Sequence, residues 1–393
     1  MKAIELLEKL QSSYPYPKVS EEDFVFSFMK LQKQMSQTLG VDLPLTYKEY
    51  EKMFSTPPTE KQNPLTYSLL YDIIRAFSDL IEEKKEEFSK QYNVELKKFP
   101  VFGTITMGEF SAQAISCGEL DESLMLFSDG LFGFANLISK LVATAYPMKN
   151  DAAGSYSSKK EDILENISKN NLLIARFLDL MLAYMLCNDA HRAKQYIIEK
   201  EYFNFSEIIR DSFEYFVVAH EYAHFSLGHL SAESNKKLFG QDCKDVEKII
   251  FNWAQEIEAD KLGAVLTLHV MTQRGYDVFI SGMGIWVCLT VLDYIEKLRK
   301  VLEGQETDEE LSMTHPPISI RKEAFLTVLP NEKEAREFFS SIDVIFDELW
   351  KYFIRFFNSL KQMLSKQKIS LKDLNYATIS NLLYKFNFTM GNE

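Results

Sequence analysis

Residues 213–230 read FEYFVVAHEYAHFSLGHL, and within them His220 and His224 stand four apart on an apolar stretch. Four residues make just over one turn of α-helix, so both imidazoles fall on one face and can share a metal ion at ~2.0–2.1 Å. Glu221 follows the first histidine directly and projects to the adjacent side. Zinc brings the pKa of a water to ~7, and a carboxylate beside it can then take the proton. Metal-assisted hydrolysis needs this order, two ligands with a base next to the first. The flanks FEYFVVA and FSLGHL continue the apolar pattern, as expected of a helix crossing a domain interior.

So short a motif recurs by chance, and a third ligand at a suitable place decides the case. Metzincin spacing would put a glycine and a third histidine at positions occupied here by Leu227 and Leu230. His229 lies about 140° round a continuous helix from His224, so on that reading it faces elsewhere. The segment QEIEAD offers Glu256 and Asp260, four apart on one face of a second helix expected at roughly 242–272. Glu256 follows His224 by 32 residues; in that geometry it can complete three protein ligands and leave one position open for water. Asp260, one turn on, can accept the outer N–H of a ligand histidine and fix its tautomer. Glu258 points to another side and reads as a solvated surface residue.

Taken together, these motifs resemble those of the gluzincin metallopeptidases, and within them the group of the CAAX-prenyl-protein endopeptidases, the HtpX-like quality-control peptidases and their soluble bacterial relatives. Four segments match in order: HEYAH at 220–224, EIEADKLG at 256–263, RGYD at 274–277 and THPPISIR at 314–321. A weaker match, GEFSAQAISCGELDESLMLFSDGLF, is similar to the strand pair that holds extended substrate in that group. The resemblance covers roughly residues 100–330. It implies one Zn2+ held by His220, His224 and Glu256, Glu221 as general base, Asp260 as the partner of a ligand histidine, and a protein or peptide substrate. It also implies His315 and Arg321 near the metal, on a loop that gates the site or steadies the oxyanion. A cytosolic gluzincin with helical flanks is similar, too, to the Lit-type bacteriophage-exclusion proteases, which cleave a translation elongation factor. The chain departs from the group in lacking clear membrane spans. It also carries about sixty extra residues at roughly 147–210, a helical insertion that could cover the cleft or answer to a regulatory partner or trigger.

The rest of the chain frames this segment. Pro-, Gly- and charge-rich linkers are expected at 55–64, 147–160 and 303–317. Before the first linker, and from it to about residue 98, the pattern is helical: LTYSLLYDIIRAFSDLIEEKKEEF has helical spacing, with a solvated Lys/Glu-rich tail. VFGTIT, FSAQAIS and SLMLFS are short, β-branched and aromatic, and form the one convincing sheet. After Asn331, which resembles a capping residue with Glu334, a stripe of Phe338, Ile342, Ile345, Leu349, Trp350, Phe353 and Phe357 predicts a core-packed helix. The expected fold is mostly α with a small β-sheet (α+β). A zincin-like catalytic domain at 99–330 lies between N-terminal (1–98) and C-terminal (331–393) helical regions.

A net charge of -13 argues against a nucleic-acid partner, which would call for a basic face. Cys117, Cys187, Cys243 and Cys288 form no C-x-x-C pair and read as small apolar fillers in a reduced, cytoplasmic protein. No secretory segment opens the chain, and the apolar run Phe279–Leu292 is short for a membrane span, so no stable membrane insertion is expected. His191 and His269 read as a surface and a packed histidine. Two other classes stand beside the peptidase: a catalytically silent zinc-containing binding or scaffold protein, and a helical interaction protein with a chance motif.

Overall fold

The structure, a computed structural model, describes residues 2–14, 55–117, 122–149, 155–230, 245–303, 315–367 and 375–384, with isolated positions between 29 and 40. It is mostly helical with one small mixed sheet. The sheet consists of β1 (Val101–Ile105), β2 (Ala112–Ser116) and β3 (Ser123–Ser128), the three segments expected from composition. Their order is β1-β3-β2, with β3 parallel to β1 (Val101 opposite Leu124) and antiparallel to β2 (Ala112 opposite Phe127). Alternation along β3 sends Met125 and Phe127 into the main core. Leu124 and Leu126 go the other way, into a second cluster with Ala3 and Leu7 of α1 (Ala3–Ser13). SLMLFS is therefore the central strand, paired on both sides, and cannot offer a free edge to substrate. FSAQAIS forms β2, an edge strand.

Helix α2 (Pro64–Tyr92) starts where Asn63 accepts the Leu65 N–H, with proline at the first helical position. It stops at Asn93 in the left-handed conformation, several residues before the end expected near 98. After β3, Ser128 caps α3 (Asp129–Ala145) through the Leu131 N–H. The insertion holds α4 (Lys160–Lys169) and α5 (Asn171–Cys187). Nearly every residue of α5 from Leu173 to Met185 is buried, so these helices are built into the core and are no lid over a cleft.

Helix α6 (Lys200–Ser226) carries the HEYAH segment through the middle of the molecule. It packs against α3, β2, α7 (Asp245–Gln273) and α8 (Val278–Glu303), and is buried all round from Ser212 to Ala223. Gly284 of α8 permits this proximity, since a Cβ there would sit 2.3 Å from the Ile209 carbonyl oxygen and the Phe213 nitrogen. The RGYD match is the joint between α7 and α8. Gly275 takes a φ of 88° and closes α7 with bonds from its N–H to Thr272 and from Tyr276 N–H to Met271. Two residues later Asp277 caps α8 through the Phe279 N–H.

Helix α8 is longer than the apolar run suggested: Val278–Leu302 is long and apolar enough to cross a membrane, yet 72% of its apolar window is buried inside the fold. The pair α4–α5 passes the same test only as a unit bent by 85°. Beyond α9 (Ile318–Leu326), Asn331 accepts the Glu334 N–H and starts α10 (Glu332–Gln367). Ile342, Ile345, Leu349, Phe353 and Phe357 are buried, and Phe338 and Trp350 pack partly buried against them. This helix shares one core with α3 and α8, so no break in packing marks residue 330. Finally α11 (Tyr376–Leu383) is fastened to α5 by the Tyr376 hydroxyl, which donates to buried Asp179 at 2.6 Å.

Cys117 and Cys288 are buried fillers as expected, whereas Cys187 is exposed; Cys243 lies outside the described residues. His191 is exposed in a 3-10 turn, and His269 is half-buried with its ring edge-on to Phe88.

Candidate metal centre

One turn of α6 presents His220 and His224 toward α7, which presents Glu256 in return. His220 Nε2 and His224 Nε2 are 3.2 Å apart. Glu256 Oε1 lies 3.3 Å from His224 Nε2, and Oε2 lies 3.6 Å from His220 Nε2. The edge of a tetrahedral zinc site with ligands at ~2.0–2.1 Å is ~3.3–3.4 Å. The triangle thus has the size and donor set of one face of such a site, and among the described residues these three form the group that could hold a metal. Burial would raise the Glu256 pKa, but His224, His315 and His220 outweigh it and hold the carboxyl well below the usual range. A carboxylate that stays ionised in a buried place is a ready cation ligand.

Asp260 stands one turn further along α7 and is almost fully buried. Its Oδ1 is 3.0 Å from His220 Nδ1, the nitrogen turned away from the triangle. Arg321 donates to the same carboxylate twice, from Nε to Oδ2 and from Nη2 to Oδ1, each at 2.7 Å. Burial alone would raise the Asp260 pKa; the guanidinium reverses this and holds it low. Burial likewise opposes charging of His220, yet Asp260, Glu256 and Glu221 together raise its pKa. Arg321 belongs to α9 and not to the loop expected of it, and its fork is engaged with Asp260. It is placed to brace the partner of a candidate ligand.

The close approach of α7 to α6 depends on Gly263, where a Cβ would lie 3.0 Å from the His220 nitrogen and 3.1 Å from its Cα. Gly263→Ala is expected to push the helices apart by a few tenths of an ångström and lower metal affinity several-fold, while the chain still folds. Isothermal titration with zinc would measure this, and unchanged affinity would show that the contact has slack.

His229 is the main departure from the sequence reading. The helix does not continue through it: Gly228 takes a φ of 76°, its N–H bonding Phe225, while the His229 N–H bonds the His224 carbonyl at 3.0 Å. This is a Schellman stop, which folds the chain back on the last turn. His229 Nδ1 therefore comes to 3.0 Å from His224 Nδ1, and its Nε2 lies 3.2 Å from Glu258 Oε2. Burial and the neighbouring His224 ring hold His229 below the ordinary histidine range. Glu258 is exposed, as expected, but it faces His229. The signal for both residues was Gly228 itself, four residues past His224.

Glu221 is 9% exposed on α6, close enough to His220 for its charge to bear on that ring. His315 lies just before α9, with its side chain 59% exposed and Nδ1 3.2 Å from Glu256 Oε2. The structure thus brings all seven sequence-nominated residues into one neighbourhood formed by α6, α7 and the start of α9. Comparison with protein-family models, curated proteins and solved structures finds no match.

Proposed function

We propose that this chain is a zinc metalloendopeptidase of gluzincin type, hydrolysing protein or peptide substrates with one Zn2+ held by His220, His224 and Glu256. The observation that carries this reading is the pair of imidazole nitrogens 3.2 Å apart facing one carboxylate, whose Oε1 lies 3.3 Å from His224 and whose Oε2 lies 3.6 Å from His220. Bound there, zinc supplies Lewis acidity, which polarises a scissile carbonyl and acidifies water. Glu221 accepts the proton of the attacking water on its carboxylate and hands it to the leaving amine. Asp260, clamped by Arg321, holds the His220 ring in one orientation. His315, exposed at the rim, is in position to meet substrate as it enters. Strand β2 supports an extended peptide as the substrate: it is an edge strand against which α6 packs, and main-chain pairing needs only such an edge.

The paired presence of a base and an open three-ligand set favours this over a silent zinc-binding scaffold, whose structural site would close its fourth position with Cys or His. We place the chain in the cytoplasm, supported by free thiols at Cys117, Cys187 and Cys288 among the described residues and by burial of most of α8's apolar window. The motif resemblance supports a regulated role in stress response, quality control or phage defence, with a partner or trigger still to be identified. Protein purified without chelators should contain one zinc per chain and create new peptide termini in a proteome digest. Metal analysis showing no zinc would remove the peptidase reading.

A further inference from the structure

We propose that His229, held in turn by Glu258, is a positioning residue for His224, forming a two-residue relay behind that ligand. The inference rests on the reading of His224 as a ligand and adds residues that the motif does not contain. His224 Nε2 faces His220 and Glu256, so to offer a lone pair there the ring must carry its hydrogen on Nδ1. That Nδ1 lies 3.0 Å from His229 Nδ1, and only one of the two nitrogens can hold the hydrogen between them. His229 Nδ1 is therefore the acceptor, and its own hydrogen sits on Nε2. That nitrogen is 3.2 Å from Glu258 Oε2, an oxygen that can only accept when ionised. One hydrogen-bond direction, from His224 through His229 to Glu258, satisfies every atom in the row.

The backbone is built for this. Gly228, at a φ of 76°, ends α6 within one turn of His224 and returns His229 to the ligand's outer nitrogen. His229 is buried, so solvent does not readily replace it. Glu258 lies between Glu256 and Asp260 on α7, and this one helix therefore provides the oxygen partner for both outer rows. Asp260 serves His220 directly; Glu258 serves His224 through one more ring.

The test compares zinc affinity by chelator competition, and the visible spectrum of the cobalt(II)-loaded protein, across His229→Phe, His229→Gln and Glu258→Leu, the last of which removes the terminal acceptor. Phenylalanine keeps the ring volume and removes the acceptor, whereas glutamine restores an acceptor. Outer partners of ligand histidines typically contribute 10–100-fold in metal affinity. His229→Phe should lose affinity in that range and shift the cobalt bands, with circular dichroism unchanged. His229→Gln should recover part of the loss, and Glu258→Leu should lose several-fold. A folded His229→Phe protein with wild-type affinity and wild-type cobalt spectrum overturns the relay. Should that variant not fold, Glu258→Leu decides alone, because the Glu258 side chain is 63% exposed and not part of the core; unchanged affinity and spectrum then overturn the relay. Wild-type protein that takes up no zinc overturns the metal centre itself, a result distinct from either.

Discussion

Glu221→Gln should leave one zinc per chain in place and reduce substrate turnover by about 10²–10⁴-fold, the usual contribution of a positioned general base. The amide keeps the shape of the carboxylate but cannot take up a proton. Since the charge of Glu221 bears on His220 without Glu221 belonging to the candidate ligand group, metal content is expected to hold. Glu256→Ala is the converse case. It removes one corner of the triangle and the anion that His224 and His315 face, so the metal should be lost along with activity. Metal analysis of both variants beside N-terminal profiling of a proteome digest separates the two roles. Full turnover by the Gln variant would end the assignment of Glu221 as base.

Arg321→Met should destabilise the chain by about 3–5 kcal/mol, read as a lower urea midpoint, because it leaves the Asp260 charge buried without its cation. Arg321 is 5% exposed and Asp260 is 1% exposed, so little water can take over. The sign of the pH dependence follows from the direction of the Asp260 shift. The folded pKa lies below the ordinary value, so the pair's contribution is present above the unfolded carboxylate pKa of about 3.9 and is lost as pH falls through the lower folded value. Wild type and variant should therefore differ most near neutrality and converge in strong acid. The double variant Asp260→Asn/Arg321→Met removes both charges and should regain much of the stability. If it does not, the pair contributes through something other than charge compensation.

Much of this was legible in the chain because local periodicity and local chemistry coincide. Two histidines four apart, and Glu256 with Asp260 four apart, declare their helix faces regardless of the fold around them. The three strands were readable for the same reason, since β-branched and aromatic residues between turn formers have few alternatives. Strand order was not, because pairing depends on contacts that spacing does not encode; β3 became central only through the crossover from β1. His229 shows a different limit. Helical phase predicts where a side chain points only while the helix lasts, and Gly228 ends it one residue too soon for that projection to hold. The bidentate hold of Arg321 on Asp260, 61 residues away, is a tertiary fact with no local signature. The burial of α8 is similar: composition alone fits a bilayer or a protein interior, and packing decides between them.

The Asp260–Arg321 pair also sets an order of events. A ribosome delivers residue 220 long before residue 321, and until α9 arrives Asp260 has no cation and Glu256 has no His315 beside it. The three candidate ligands can be translated, and even helical, while the constellation around them is unfinished. On the proposed reading, a nascent chain cut short before α9 should therefore hold the three candidate ligands without the brace that completes their surroundings.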